Sequence, residues 1–329
     1  MYDNTAMIMM MSTLTPTHAG SGTQLSYVDL PIQREPHTGF PKIEASTLKG
    51  CVRHALTSKD KSKSEEINQI FGEPDKGDFA SAVAFSDARL LFFPVKSVLG
   101  VFAWVTCPLA IQKFMDDYEL ATGEAFTDLN MNSANSGSGA LITESCRLAA
   151  DNKIMLEDYV FEASKDEKFN DFIASLGEHL PNNTMMKSRF FDHVVMVSDD
   201  DFAGFVKFST EVNSRIKINP ATGTVDGAAL FTEEFLPAEC ILYSLIFFTN
   251  THLPQKNGEQ GTIKEKEHVR ESFTKLFAED VFQVGADSSL GKGMIMKRLW
   301  EKESGADNSQ KRENGNKRGN ENENGDGNA

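Results

Sequence analysis

The stretch Leu14–Arg53, LTPTHAGSGTQLSYVDLPIQREPHTGFPKIEASTLKGCVR, carries most of the side chains that could do chemistry. His18 precedes a glycine loop, Gly20-Ser21-Gly22, and Asp29 sits just ahead of Pro31. An imidazole can relay a proton or hold a phosphate, and a carboxylate can take a proton or hold a divalent cation. Breaking an RNA backbone uses such groups, because a 2′-OH must attack the neighbouring phosphate in line. On the residues alone a plainer account is the stronger one: Asp29 as a turn residue and His18 as loop packing, since a lone Asp and His define no site. Lys49 and Arg53 lie one helical turn apart beyond a helix start, where charge and helix dipole both favour an anion. A solvated surface pair would look the same.

A second glycine loop, Gly285-Ala-Asp-Ser-Ser-Leu-Gly291-Lys292-Gly293, is not a Walker A loop, because five residues separate Gly285 from Gly291 and glycine follows the lysine. Nor is it a dinucleotide fingerprint, since a strand rather than a helix comes next. It offers several N–H donors and one lysine, suited to a phosphodiester backbone, or else a turn that uses glycine for positive φ. The run Asp199-Asp200-Asp201 could suggest a metal cluster, but acids are expected at a helix start for capping.

The elements that must position these groups are legible in part. In the opening stretch Gly20, Gly22, Pro31, Pro36, Gly39 and Pro41 break every burial period, while Leu25, Tyr27, Val28, Leu30, Ile32 and Phe40 make it too apolar for disorder. It reads as an ordered binding loop. Met7–Met11 reads as a buried first strand. Ala45–Leu56 reads as a helix capped by Ser46, with Leu48, Cys51, Val52, Ala55 and Leu56 facing the core. Further helices are expected over Ser64–Phe71, Ile111–Tyr118, Asp166–Leu180, Ser198 to about Ser209, and Glu265–Glu279. Strands are expected over Ala82–Phe93 stopped by Pro94, Val101–Thr106, Met155–Phe161, Val194–Val197, Ile241–Phe248, Val281–Val284 and Met294–Trp300. Arg215–Ile218 and Phe231–Leu236 flank INPATGTVDGAA, a hairpin-like excursion with a Pro-Ala-Thr-Gly turn. The irregular segment at about 123–181 reads as an insertion, with SANSGSG its most flexible piece. Glu301–Ala329 is dominated by charged residues, Asn and Gly, cannot offset its ordering entropy, and reads as a disordered tail.

Bulk properties narrow the class. A chain of 329 residues with 40% hydrophobic residues supports a real core. No apolar run approaches the ~20 residues a membrane span needs, and no secretory leader is visible, so a soluble cytoplasmic protein is expected. The four cysteines never form a CxxC pair and the seven histidines never an HxxxH pair, which argues against zinc knuckles, disulfides and a preformed transition-metal site. A net charge of −15 argues against nucleic acid unless the contact surface is local.

At VDLPIQREPHTGFPKIEASTLKGCVR, with TLTPTHAGSG before it, the chain resembles the backbone ribonuclease subunits of type III-B CRISPR (Cmr) effectors, a family of the repeat-associated RAMP superfamily. The resemblance continues through FPVKS (Phe93–Ser97), RIKINPATGTVDGAALFTEEFLP (Arg215–Pro237) and the terminal GADSSLGKG. It covers most of the chain, weakens across the insertion and is absent from the tail. It implies an α+β fold over residues 1–300, an RRM-like (ferredoxin-like) βαββαβ core with a helical insertion at about 123–181 and a β-hairpin thumb at about 213–236, followed by the polar tail 301–329. It also implies copies stacked along a CRISPR guide RNA, with thumbs wedged into the guide–target duplex and target single-stranded RNA cut at regular intervals beside them. Ends would be a 2′,3′-cyclic phosphate and a 5′-OH. A divalent cation (Mg or Mn) would be needed but not tightly bound, and the partners would be guide, target, other copies and other Cmr subunits, in antiviral defence.

On this resemblance Asp29 is the catalytic residue and a candidate cation ligand, His18 supports it, and Glu233 of the Glu-Glu-Phe run lies near the cut. A tyrosine expected at the end of that run is Phe235 here, which has no hydroxyl to give. The RNA-binding set is Gly20, Ser21, Gly22, Ser46, Lys49, Arg53, Gly291, Lys292 and Gly293. Two other readings stand beside it: a non-catalytic RNA-binding filament subunit, and a guide-processing endonuclease with tandem RRM-like domains and metal-independent cutting.

Overall fold

The run Met7–Met11 is apolar at every position because the strand it forms is buried on both faces. In β1 (Met7–Thr13), Met7, Met9 and Met11 enter one core while Ile8 and Met10 enter another, as the two-residue period of a strand requires. The structure, a computed structural model, describes residues 6–23, 25, 27–73, 80–126, 139–251 and 264–300, with backbone alone for 226–229. The tail and most of SANSGSG lie outside the described residues.

After β1 the chain runs through β2 (Lys42–Ile43), α1 (Ala45–Lys59), α2 (Ser64–Phe71), β3 (Val83–Phe85), β4 (Ala88–Lys96), β5 (Phe102–Thr106) and α3 (Pro108–Thr122). It continues with β6 (Gly139–Ile142), β7 (Ala149–Ala150), β8 (Lys153–Leu156), β9 (Tyr159–Lys165), α4 (Glu167–Gly177), α5 (Thr184–His193), β10 (Val194–Met196) and α6 (Asp199–Phe208). The last part holds β11 (Glu211–Ile218), β12 (Val225–Phe235), β13 (Ile241–Phe248), α7 (Lys266–Leu276), β14 (Val281–Gln283) and β15 (Met294–Trp300).

The fold is α+β around one mixed sheet of 13 strands in the order β14-β15-β1-β13-β4-β5-β10-β6-β9-β8-β7, with β2 beside β4 and β3 beside β13. β1 is antiparallel to both β13 and β15. Helices α1, α2, α6 and α7 cover one face through Leu48, Val52, Phe71, Phe202 and Phe273. Helices α3, α4 and α5 cover the other through Ile111, Phe114, Phe172 and Phe190. β11 and β12 stand apart as a two-stranded ribbon.

Several local expectations are corrected. Ser46 does not cap α1: the helix starts after Glu44 with no side-chain cap of its own, and the Ala45 amide donates instead to Asp87 Oδ1 at 2.8 Å, on the turn between β3 and β4. Pro94 does not stop its strand but lies inside β4 opposite Trp104. The ladder from β4 to β13 ends at Phe92, so the missing N–H faces no partner strand there. Met155–Phe161 is not one strand but the β8–β9 hairpin, turned at Glu157 with φ +50°. Among its described residues, the segment expected as a helical insertion contributes four short strands and one full helix within its bounds, and β6 pairs antiparallel with β10, so the main sheet runs on into it. α5 was not expected; Asn183 caps it by accepting from the Met185 amide at 2.9 Å. Ser198 caps α6 through the Asp201 amide at 3.1 Å, and Asp199 accepts from the Leu109 amide, so the three aspartates are explained by helix geometry.

Lys297 on β15 is 3% exposed, with its ammonium 4.2 Å from the Phe277 ring centre. Burial depresses its pKa from 10.5 to about 8. Between those values the unfolded chain binds more protons than the folded one, so stability rises with pH across that window. Lys297→Met is expected to stabilise the protein at neutral pH by on the order of 1–3 kcal/mol and to abolish that rise, read from denaturant midpoints at pH 7 and 10.

Candidate functional site

The site is built on the last residues of β12, which pair with β11 along one edge and with both arms of the opening loop along the other. The Leu30 amide donates to Thr232 O at 3.0 Å and the Glu234 amide to Leu30 O at 2.9 Å. Farther along the same edge, Thr17 and Leu236 exchange backbone bonds at 2.8 and 2.9 Å. The period of the strand then sorts its side chains: Thr232 and Glu234 project to one face, Glu233 and Phe235 to the other.

Thr232 holds Asp29. Its amide donates to Asp29 Oδ2 at 2.7 Å and its hydroxyl to the same oxygen at 2.9 Å, while the Asp29 amide donates to the hydroxyl oxygen at 3.0 Å. The backbone and side-chain bonds from Thr232 lower the Asp29 pKa, because they stabilise the ionised form. The aspartate is therefore a charged group with one oxygen pinned, standing at the solvent boundary.

Glu234 has a different task. It is 5% exposed, and its carboxylate accepts from the Ile32 amide at 3.1 Å, from Thr210 Oγ1 at 2.8 Å and from Arg34 Nη2 at 2.5 Å. Arg34 continues to Val206 O at 2.9 Å. A buried carboxylate with several donors is a structural anchor, and it fastens the loop to β12 and α6.

His18 is enclosed, at 6% exposure. Its Nδ1 donates to Glu234 O at 2.7 Å, since a carbonyl only accepts, and Nε2 then faces Glu233 Oε1 at 3.6 Å. Phe235 lies edge-on to the ring with centroids 5.7 Å apart. Gly20 roofs the imidazole: a Cβ there would come within 2.6 Å of Nε2. Burial pushes the Glu233 carboxyl above its ordinary value, against the pull of the His18 ring and Arg215.

The second glycine loop closes the site from below. The Ala286 amide donates to His18 O at 3.0 Å, and Gly285 passes so near that a Cβ would sit 2.2 Å from that oxygen. The expected array of free N–H donors is corrected: the Gly291, Lys292 and Gly293 amides donate to Ser288, Asp287 and Pro16 carbonyls, and the Ser21 amide to Pro31. Turns this tight satisfy their own backbone. The Lys292 ammonium of this loop lies 4.8 Å from the Phe235 ring centre, with no carboxylate in ion-pair reach among the described residues.

Lys49 and Arg53 are not brought to this site. Lys49 Nζ donates to Val83 O at 3.0 Å and Arg53 to Asn68 Oδ1 at 2.6 Å, tying α1 to β3 and α2. Cys51, on the opposite side of the helix, is the residue that meets Gly285. Ser46 is exposed in the first turn of α1. Sequence reasoning missed Thr232, Glu234 and Arg215; strand alternation along Thr232–Phe235 was the available signal. Both sheet faces are covered by helices, so bases cannot stack on it as they do on an open RRM sheet. The loops and the hairpin are the surfaces the helices leave uncovered.

A family model described as the RAMP superfamily matches residues 10–295. The chain is 36% identical over 300 residues to the CRISPR system Cmr endoribonuclease Cmr4 of Pyrococcus furiosus, covering 90% of this chain and 96% of that one. It is 28% identical over 259 residues to the CMR subunit Cmr4 of Saccharolobus solfataricus, covering 71% and 81%. The crystal structure of oligomeric Cmr4 from Pyrococcus furiosus superposes with a TM-score of 0.69 at 30% identity, over 90% of this chain and 99% of that chain. A chain of the type III-B Cmr-beta complex solved by cryo-EM with cognate target RNA shares the fold at the same TM-score and 20% identity, over 91% and 98%. The chain belongs to the RAMP superfamily. Within that superfamily it is a member of the Cmr4 family.

Removing the Thr232 hydroxyl deletes one of the two bonds that Asp29 Oδ2 accepts and leaves the backbone one. In Thr232→Val the Asp29 carboxyl is expected to titrate at a higher pH than in the wild type, followed by carboxyl-carbon NMR. An unchanged titration would show that the hydroxyl does not hold the charge.

Proposed function

We propose that this chain is the guide-RNA-binding backbone subunit of a type III-B CRISPR (Cmr) effector, and that it cuts guide-complementary target RNA at regular intervals through Asp29. The observation that carries the reading is the ionised Asp29 carboxylate, pinned by Thr232 at the foot of a projecting hairpin. Its support among relatives is the 36% identity to a protein named an endoribonuclease. The 30% identical relative crystallised as an oligomer supports assembly with further copies.

The hairpin suits insertion between bases. Ile216 lies opposite Leu230 and, beyond an irregularity in the register, Ile218 lies opposite Val225, and each of the four apolar side chains is about half or more exposed. A two-stranded ribbon is marginal in water by itself. A guide–target duplex splayed around these side chains would cover them and turn a nucleotide toward Asp29.

In the cleavage, the 2′-oxygen forms a bond to phosphorus and the bond from phosphorus to the 5′-oxygen breaks. One proton leaves the 2′-hydroxyl and one reaches the 5′-oxygen, giving a 2′,3′-cyclic phosphate and a 5′-OH. Asp29 acts in its charged form, by taking the 2′ proton or by holding a cation; His18 and Glu233 stand behind it and fix the loop. No group of three or more His, Cys, Asp or Glu among the described residues could hold a metal. One charged, outward carboxylate therefore fits a hydrated Mg or Mn ion only if RNA phosphates complete its shell, where the ion would offset the charge developing at phosphorus. Binding despite a net charge of −15 relies on local cations such as Lys292.

In a complex reconstituted with guide RNA, Asp29→Ala is expected to slow target cutting by about 10²-fold or more while guide binding persists. Cutting at the normal rate would remove Asp29 from the chemistry and leave the non-catalytic filament subunit. A chelator is expected to stop cutting, with Mg or Mn restoring it. Ile216→Asp with Leu230→Asp should preserve folding, because both side chains are exposed, and should weaken regularly spaced cutting, read from the ladder of products on a gel.

A further inference from the structure

Arg215, at the root of the hairpin on β11, grips Asp287 of the second glycine loop with both arms of its guanidinium. Nη1 donates to Oδ1 at 3.0 Å and Nη2 to Oδ2 at 2.6 Å. The same Nη1 lies 3.0 Å from Glu233 Oε2, and Glu233 Oε1 faces His18 Nε2. One arginine thus touches the hairpin, the glycine loop and the carboxylate beside the buried histidine.

Asp287 is itself unusual. Its backbone is left-handed, with φ +62° and ψ 30°, which costs an L-residue energy and needs outside support. Its carbonyl accepts the Leu290 amide at 2.9 Å and the Lys292 amide at 3.2 Å, so the turn around Asp287 decides where Lys292 is carried. Lys292 and Arg215 both sit against the Phe235 ring, at 4.8 and 5.8 Å from its centre. Two cations on one buried ring repel each other unless an anion offsets one of them. Asp287 is that anion.

We propose that Arg215 is a positioning residue: its two-armed bond to Asp287, shared with Glu233, locks the glycine loop to the hairpin root and so sets Lys292 and His18 in the geometry that target cleavage requires. The effect on cleavage rests on the ribonuclease reading above, whereas the lock itself does not. A lysine at 215 would keep the charge but lose the planar fork. The arrangement also explains why a non-glycine residue is found at a left-handed position between two glycines: its side chain is needed.

Complexes reconstituted with guide RNA from wild-type, Arg215→Lys, Arg215→Gln, Asp287→Asn and the Arg215→Gln/Asp287→Asn double variant test this. Three quantities are measured: the single-turnover rate at saturating target, the affinity for target, and hydrogen exchange at the Leu290 and Lys292 amides. The Gln and Asn variants are expected to cut about tenfold or more slowly, and the double variant no more slowly than the worse single, because both remove one interaction. Arg215→Lys should recover part of the rate, target affinity should stay within about twofold, and both amides should exchange faster. Wild-type rates in the Gln and Asn variants would overturn the proposal. So would additive losses, or a parallel fall of rate and affinity with Lys no better than Gln, which is how a merely structural role behaves. If an Arg215 variant fails to fold, Asp287→Asn still decides, because it alters a surface loop without changing its size. If the wild-type complex cuts no target, the ribonuclease reading fails, and unchanged exchange at Leu290 and Lys292 in Arg215→Gln would then overturn the lock separately.

Discussion

The double pairing of β12 is the constraint on which the site depends. Thr232 and Glu234 bond through the backbone with Leu30, and Leu236 with Thr17, while β11 occupies the other edge of the strand. Because the strand alternates, that single placement aims Thr232 at Asp29, buries Glu234 among Arg34, Ile32 and Thr210, and turns Glu233 and Phe235 toward His18. A slip of one residue would exchange the two faces and take Glu234 away from its donors. The buried Glu234 makes such a slip costly, since an unpaired charge in the interior is far less stable than a paired one. The anchor Glu234 and the histidine-facing Glu233 are thus consecutive members of one strand, with opposite surroundings.

To bind RNA as proposed, an acidic chain must keep its cations from being consumed by its own carboxylates. Most of those near the site are consumed: Arg34 by Glu234, Arg215 by Asp287 and Glu233, and Lys113 by Glu35. Lys292 escapes because Asp287 is already held by Arg215, and the aromatic ring beneath it is neutral. Electrostatics at the site therefore depend on who pairs with whom more than on net charge. Lys49 and Arg53, whose helical spacing suggested an anion site, each give a donor to a neighbouring element instead, to Val83 and Asn68.

Covering both faces of the sheet moves function to its periphery. With helices on each side, the strands are a packed platform and contribute no open surface for bases. The candidate groups sit on loops, which are bonded to one another where the backbone crosses closely. Gly285 can lie against the His18 carbonyl only because it lacks a Cβ. Glycine there serves proximity, where the sequence suggested a cradle of free N–H groups.

Strand and helix positions followed from apolar periodicity where burial was one-sided or complete, as in Met7–Thr13, Ile241–Phe248 and α4. They failed where a distant partner decided the outcome: Asp87 replaces Ser46 as the cap of α1, and an unpaired edge lets Pro94 remain in β4. By itself the sequence marked the opening stretch as an ordered loop, Asp29 and His18 as its candidate chemical groups and, through resemblance, the family. Those are properties of composition and local pattern, which a chain carries without knowing its fold. Only the tertiary structure decided that Thr232 holds Asp29, that Glu234 is an anchor while Glu233 faces the histidine, and that Arg215 reaches Asp287. Residues some two hundred positions apart meet there, and no local period records which donor finds which acceptor once the strand is in register.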